Sequence, residues 1–343
     1  MKKKRRLKIT ELGEFGFIAR FSPAFIRNLP ANLQGIGDDC AVIPWKGKKK
    51  LLVTTDLLID GVHFLKEKIS PQDLGYKSLA VNLSDIAAMG GRPLWTFLSL
   101  AIPSDTEVGW LDSFFQGWRK LSNQTGVYLL GGDTTRSLNR FVVNVAILGE
   151  AEDKFIKYRS GARPGDILAV TGTLGDSEGG LRLILANKRK EILTAEEKYL
   201  LRRHYLPRPQ LEEGRFLARR PEVRAMMDVS DGIDSDLRRI MERSGCGVEV
   251  HLENLPVSSA LKKCSQKYGW NLEEVAAAGG EDYCLLIAVD PGKFGSLART
   301  FQHRFGRKLQ AIGQATAKKG QLTYLRKNRP TSLRKSGFDH FKR

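Results

Sequence analysis

Six times along the chain a carboxylate stands beside a glycine or a hydroxyl residue at the end of a short apolar run. The segments are Gly37-Asp38-Asp39, Thr54-Thr55-Asp56, Asn82-Leu83-Ser84-Asp85, Gly131-Gly132-Asp133-Thr134-Thr135, Asp228-Val229-Ser230-Asp231-Gly232 and Gly279-Gly280-Glu281-Asp282. Such punctuation constrains the fold, because a carboxylate at the end of a buried strand sits on a rigid element and opens into a crevice. The runs between them alternate in period. Residues 51–55 read as a buried strand entering Asp56. Residues 74–89 have helical spacing and stop at Gly90-Gly91. Residues 96–102 read as a strand, 108–125 as a helix closed by Gly126, 127–130 as a strand entering Gly131-Gly132-Asp133, and 141–149 as another strand. A polar, glycine-bearing stretch at 151–165 marks a seam, after which 167–170 starts a second series of strands and helices. Interleaved β and α of this kind predict an α/β (α+β) fold.

The length of 343 residues fits two domains of about 150 residues each. We expect a basic tail at 1–8, an N-terminal domain at 9–152 and a C-terminal domain at 153–343. The four cysteines are widely spaced and form no CxxC pair, which argues against a disulfide framework or a cysteine zinc site and fits a cytoplasmic setting. No apolar run approaches the ~20 residues of a membrane span, and no apolar signal core follows the basic N-terminus. The net charge of +18 invites a nucleic-acid reading. Resolved by region, +6 falls in residues 1–8 and +8 in residues 318–343, leaving +4 across 9–317. That distribution reads as solvated ends rather than one basic face.

Several carboxylates meeting in one crevice repel one another unless a cation lies between them. Carboxylates with Thr or Ser hydroxyls are hard oxygen donors suited to Mg²⁺, which keeps several waters and leans on a few acids plus substrate phosphates. Each motif alone is an ordinary turn or helix cap; the repetition carries the signal. The turn Thr171-Gly172-Thr173-Leu174-Gly175-Asp176-Ser177 follows a strand and precedes a helix, so its N–H groups could cradle an anion or simply close a strand–helix turn. No GxxxxGK[ST] loop and no protein-kinase motif set occurs.

In order along the chain, GIGDDCAVI (35–43), TTDLLIDGVHF (54–64), KSLAVNLSDIAAMG (77–90), GGDTT (131–135), RSGARPGD (159–166), VTGTLGDS (170–177), MDVSDGIDSDL (227–237), GGEDY (279–283) and GFDHF (337–341) resemble the thiamine-monophosphate kinase family, within the aminoimidazole-ribonucleotide synthetase-like superfamily. The resemblance implies a two-domain fold whose N-terminal sheet pairs across a homodimer. It implies ATP and thiamine monophosphate as ligands, with several Mg²⁺ ions. The implied reaction is direct transfer of the γ-phosphoryl group, giving thiamine diphosphate, the last step of its biosynthesis. Carried over residue by residue, Asp39, Thr54, Thr55, Asp56, Asp85, Asp133, Asp228 and Asp231 would be metal ligands, with Asp85, Asp133 and Asp231 central to catalysis. Gly132, Arg159 and Ser230 would contact the nucleotide. His63, Glu281 and Phe338 would surround the thiamine moiety.

Four positions depart from the family pattern: Phe338 for Trp or Tyr, Cys284 for Glu, Asp60 for Glu, and Glu178-Gly179 for two small residues. They bear on substrate affinity more than on the reaction. Aminoimidazole-ribonucleotide synthetase is the alternative within the superfamily. Selenophosphate synthetase and the hydrogenase-maturation member would want reactive cysteines near the N-terminus and at the C-terminus respectively, where this chain has only Cys40 and ends in Phe341-Lys342-Arg343. From another class, a basic nucleic-acid-binding protein would account for the charge, but the acidic clusters would repel a phosphate backbone.

Overall fold

The computed structural model describes residues 8–27, 29–186, 193–334, 337–338 and 340–341. Two sheets organise the chain. The first contains β1 (Ala41–Pro44), β2 (Lys49–Ile59), β3 (Arg92–Pro103), β4 (Tyr128–Ser137) and β5 (Val142–Glu152), in the order β1-β2-β5-β3-β4. Only the β3–β4 pair is parallel. Two helices, α2 (Pro71–Ala88) and α3 (Val108–Thr125), accompany this sheet and share its apolar core. The opposite face leaves Leu57 and Phe97 exposed.

The local chemistry explains these elements. Ser70 caps α2 by accepting from the Asp73 amide, and Pro71 occupies the first turn, where a missing N–H costs nothing. Gly126 closes α3 in the left-handed region at φ 70°. The two helices cross so closely that side chains are excluded. A Cβ on Gly75 would lie 1.9 Å from the Phe114 carbonyl oxygen, and one on Gly117 would lie 1.7 Å from that of Gln72.

The second sheet contains β6 (Ile167–Val170), β7 (Val223–Asp228), β8 (Gly247–His251), β9 (Leu285–Val289), β10 (Gln310–Thr316), β11 (Leu322–Arg326) and β12 (Arg329–Thr331), in the order β12-β11-β8-β10-β6-β9-β7. Its helices are α4 (Asp176–Leu185), α5 (Ala195–Tyr205), α6 (Leu211–Ala218), α7 (Ile233–Ser244), α8 (Ser259–Tyr268), α9 (Leu272–Ala278) and α10 (Pro291–Phe305). The C-terminal end of α2 joins the halves. Ala87 and Ala88 belong to the apolar cluster of β7, β9, α6 and α10, and Gly214 of α6 packs where a Cβ would meet the Ala87 carbonyl oxygen at 2.1 Å.

Three elements differ from the sequence expectation. β2 does not end at Asp56 but runs on to Ile59, paired along its whole length with β5. A helix, α1 (Ile9–Ile26), precedes the first motif, with a non-helical break at Gly13. β4 does not stop at Leu130 but runs through Gly131-Gly132-Asp133-Thr134-Thr135 to Ser137. It lies at the sheet edge, almost wholly exposed, and parallel pairing with β3 holds it extended where apolar alternation does not. Replacing Gly75 by Ala should cost about 3 kcal/mol or more, because backbone rather than a pliable side chain stands in the way. Urea denaturation of Gly75→Ala against wild type would read this as a lowered midpoint at unchanged m-value.

Candidate functional site

The carboxylates of Asp39, Asp85 and Asp228 converge, with ligand atoms within 4.8 Å of one another. They come from the turn before β1, from α2 and from the end of β7, so both sheets contribute. Each is held by a donor. Thr54 Oγ1 donates to Asp85 Oδ2 at 2.6 Å, Ser84 Oγ donates to Asp228 Oδ2 at 2.6 Å, and an Arg159 guanidinium nitrogen donates to Asp39 Oδ1 at 2.7 Å. Asp39 Oδ2 is buried without a hydrogen-bond partner. Three hard oxygen donors around one point, one of them orphaned, fit a divalent cation such as Mg²⁺.

The electrostatics agree with a cluster short of positive charge. Burial pushes Asp228 up to about 7, with Asp39 adding repulsion. Burial and then Asp56 and Asp228 push Asp85 well above the carboxylate range. Asp56 rises to about 6 through burial and the charge of Asp231. Asp231 itself rises to about 6, mostly through burial, with Glu14 of α1 adding repulsion. Asp236 of α7, which the motifs did not single out, is fully buried beside Asp231 and Asp228 and is also raised.

The remaining expected residues divide by strand geometry. Alternation along β2 puts Thr54 on the face covered by α2, where it meets Asp85, and the Asp56 amide donates to Asn82 Oδ1 at 3.1 Å. Thr55 points to the opposite face, where its hydroxyl accepts from Asn144 Nδ2 at 2.9 Å. Asp133 is not in the cluster. Its strand is three places from β2, about 14 Å at the usual strand spacing, and its Oδ1 accepts from the Thr134 amide. Gly132 has a structural reason to be glycine, since a Cβ would lie 1.7 Å from the Leu98 carbonyl oxygen. Asp38 is engaged elsewhere, accepting from the Arg159 amide at 2.7 Å and from Gln34 Nε2 at 2.5 Å. Ser230 offers its carbonyl to the Glu281 amide at 2.7 Å, and Phe338 donates its amide to the Asp231 carbonyl at 3.0 Å.

A second polar group lies around Glu281. Its carboxylate accepts from the fully buried Lys77 Nζ at 2.9 Å and stands 3.3 Å from His204 Nδ1. Burial opposes the Glu281 charge, but Lys77 and His204 outweigh it and hold the carboxyl below its usual range. Glu281 and Tyr283 both sit at positive φ, 63° and 49°, a conformation that non-glycine residues adopt where surrounding contacts enforce it. The His63 ring lies 4.9 Å from that of His340, which lies 4.8 Å from Phe338. His63 Nδ1 accepts from the Ile59 amide at 3.0 Å. Lys77, His204 and His340 were not singled out in the sequence. Lys77 precedes Asp85 by two helical turns inside an otherwise apolar stretch, which is the signal that could have found it.

The turn at 171–177 holds no free anion cradle. Its Gly175 amide donates to Asp282 Oδ2 at 2.6 Å and its Ser177 amide to Asp282 Oδ1 at 3.3 Å. An internal carboxylate thus occupies the start of α4. Of the departing residues, Cys284 is fully buried against Gly172, Asp60 accepts from the Lys66 amide at 2.9 Å, and Glu178 pairs with Arg182 at 2.7 Å.

The AIR synthase related protein family matches this chain twice, its N-terminal domain over residues 37–151 and its C-terminal domain over residues 163–324. Thiamine-monophosphate kinase of Escherichia coli (strain K12) is 40% identical over 336 residues, covering 96% of this chain and 98% of that protein. The protein of the same name from Aquifex aeolicus is 39% identical over 281 residues, 82% of this chain and 87% of its own. The chain belongs to the thiamine-monophosphate kinase family. A solved structure of AaThiL complexed with AMPPCP and TMP superimposes on this family member with a TM-score of 0.84 at 33% identity, covering 98% of this chain and 100% of that one. A HypE–HypF complex, at 17% identity and a TM-score of 0.69, shares the fold. The fold is therefore the two-domain α/β architecture of the AIR synthase related proteins.

His204 gives this family member a built-in acid sensitivity. Burial and then Lys77 lower its pKa from 6.5 to about 4, so it is neutral in the folded chain. Between those values the unfolded chain takes up a proton that the folded chain refuses. Stability from this group is therefore complete above pH 6.5 and is lost as pH falls toward 4. The slope is at most ~1.4 kcal/mol per pH unit. Urea unfolding from pH 7 to pH 4.5 should show a shallower decline for His204→Gln than for wild type; equal slopes would exclude the histidine as the source.

Proposed function

We propose that this protein phosphorylates thiamine monophosphate with ATP, giving thiamine diphosphate and ADP. The observation that carries the reading is the convergence of Asp39, Asp85 and Asp228 from both halves of the chain, with one buried carboxylate oxygen unpaired. The relatives' names and the AMPPCP- and TMP-bound neighbour support the same reading.

In this proposal Asp39, Asp85 and Asp228 hold Mg²⁺, with Thr54, Asp56 and Asp231 completing the oxygen-rich surround. When bound, Mg²⁺ offsets the charge of the two phosphate-bearing reactants and of the oxygens that gain charge during transfer. The chain's own residues do the positioning. Arg159 is already fixed by Asp39, and its Nε is unpartnered, so it is a placed cation for a triphosphate. Gly132 and Asp133 on the β4 edge would reach the nucleotide from across the sheet, with Ser230 on the other side and Thr55 contributing through its backbone. Lys77 and His204 would fix Glu281 beside the thiamine moiety, and His63 and Phe338 would supply its aromatic neighbours. One acceptor phosphate oxygen forms a bond to the γ-phosphorus as the bond to the β,γ-bridging oxygen breaks. The acceptor is an anion already, so the reaction asks for alignment and charge neutralisation rather than a strong base.

We infer two domains, 9–152 and 153–343, and a homodimer through the first sheet. Its open face and edge expose Leu57, Phe97, Tyr128, Leu129 and Leu130, an apolar surface suited to a second copy. No helix among the described residues is long and apolar enough to cross a membrane, and a cytoplasmic site of action suits a nucleotide-dependent biosynthetic step.

Incubation with ATP, Mg²⁺ and thiamine monophosphate should yield thiamine diphosphate, and EDTA should abolish it. Asp85→Asn should lower kcat by about 100-fold or more, since removal of one charge-stabilising ligand costs several kcal/mol in the transition state. Its melting temperature should stay within a few degrees or rise, because the lost charge is one that burial opposes. Near-wild-type turnover of this variant at saturating Mg²⁺ would sink the assignment.

A further inference from the structure

The body of the chain concentrates positive charge at one concave place away from the carboxylate cluster. Arg215 of α6, Arg219 and Arg220 just after it, and Arg304 near the end of α10 line a cavity of about 500 Å³ together with Glu212 and Phe216. Among the described residues, none of these four arginines forms an ion pair with a carboxylate, in contrast to Arg208, Arg224 and Arg307 nearby. Aromatic rings support them. The Arg220 guanidinium lies 4.5 Å and that of Arg304 5.6 Å from the centre of the Phe216 ring, and Arg219 lies 5.1 Å from that of Phe155. A fifth cation backs the cavity, since Lys157 Nζ donates to the carbonyls of Arg220 and Val223 at 3.1 and 2.6 Å.

Charge arithmetic separates this cavity from an ordinary helix end. The C-termini of α6 and α10 each contribute about half a negative charge, and Glu212 contributes one more. Against the four arginines that leaves a surplus of about +2. An adjoining smaller cavity shares Arg215 and Arg219, and there Lys49 and Arg92 both pair with Glu150, with Glu152 also in its lining, so its own cations are already engaged by carboxylates.

We propose that this arginine cavity binds a small anion carrying two or three linked phosphates. The surplus matches such a group better than a single carboxylate, and guanidinium forks engage phosphate oxygens two at a time. The volume is in the range of small-ligand pockets. A single-stranded nucleic acid fits less well. Phe216 is buried and already carries two guanidinium groups, so it offers no face for a base to stack on.

The probe is inorganic tripolyphosphate, titrated calorimetrically into the full chain in EDTA, so that the carboxylate cluster holds no metal to recruit it. One site is expected, weakened at least tenfold in Arg215→Gln/Arg304→Gln and weakened by added NaCl. Arg215→Lys/Arg304→Lys should recover part of the affinity, and Asp85→Asn should bind as wild type does. Thiamine monophosphate kinase turnover of the double Gln variant should stay within about twofold of wild type, and its thermal melt reports folding. Arg304→Gln alone serves if the double variant does not fold. Absence of binding, binding indifferent to the arginine changes, or binding lost in Asp85→Asn would each overturn the site. A single-stranded RNA oligonucleotide binding more than tenfold tighter, with the same arginine dependence, would overturn the small-anion assignment.

Discussion

The hydrogen bond from Ser84 on α2 to Asp228 at the end of β7 couples the two halves of this protein at its most heavily charged point. Everything around it follows from the cost of burying carboxylates. Asp39, Asp85 and Asp228 come from separate elements, so the halves must dock in register for the three to meet. Docking is secured by apolar contact rather than by the acids, which repel one another. Ala87 and Ala88 of α2 enter the cluster built on β7 and β9, and Gly214 lets α6 approach the α2 backbone. The structure thus uses hydrophobic burial to hold an electrostatically unfavourable group in place.

α2 is the element on which this depends. Lys77 and Ser84, two turns apart on one face, reach Glu281 and Asp228, Asp85 beside them meets Thr54, and the first turns pack against α3 through Gly75. A helix buried on most of its circumference can present a lysine and an aspartate to two different polar groups because both partners lie in the same crevice. Lys77 is fully buried yet ion-paired, and Glu281 adopts positive φ to meet it. Removing either partner would leave the other charge uncompensated, which is costlier than never having had the pair.

Local rules exposed much of this in the sequence. The 108–125 helix ends where Gly126 turns left-handed, β6 occupies 167–170, and Asp39, Asp228 and Glu281 stand at or between element ends as their segments imply, whereas Thr54-Thr55-Asp56 and Gly131-Gly132-Asp133 lie inside β2 and β4. What local rules missed depends on distant partners. β4 continues through a glycine- and threonine-rich stretch only because β3 pairs with it. The 171–177 turn has the form of an anion cradle, yet Asp282, more than a hundred residues away, fills it. Thr54 and Thr55 read alike in the motif and separate only when strand alternation sends them to opposite faces. Arg159 looks like a linker arginine until its partner Asp39 is brought beside it.

The net charge of +18 shows the same limit of local reading. Regional counting assigns most of it to the ends of the chain and leaves the body nearly neutral. Near neutrality in sum does not mean neutrality in space. The body's acids are drawn into the crevice, where they face one another, and into ion pairs with chosen partners. Among the described residues, Arg215, Arg219, Arg220 and Arg304 form no ion pair with a carboxylate and gather at one cavity. Folding has separated the two signs, giving one site that calls for cations and another that calls for anions. The carboxylate cluster gains nothing from arginines that line a separate cavity. Their concentration therefore asks for a ligand of its own rather than for a share in the chemistry at Asp85.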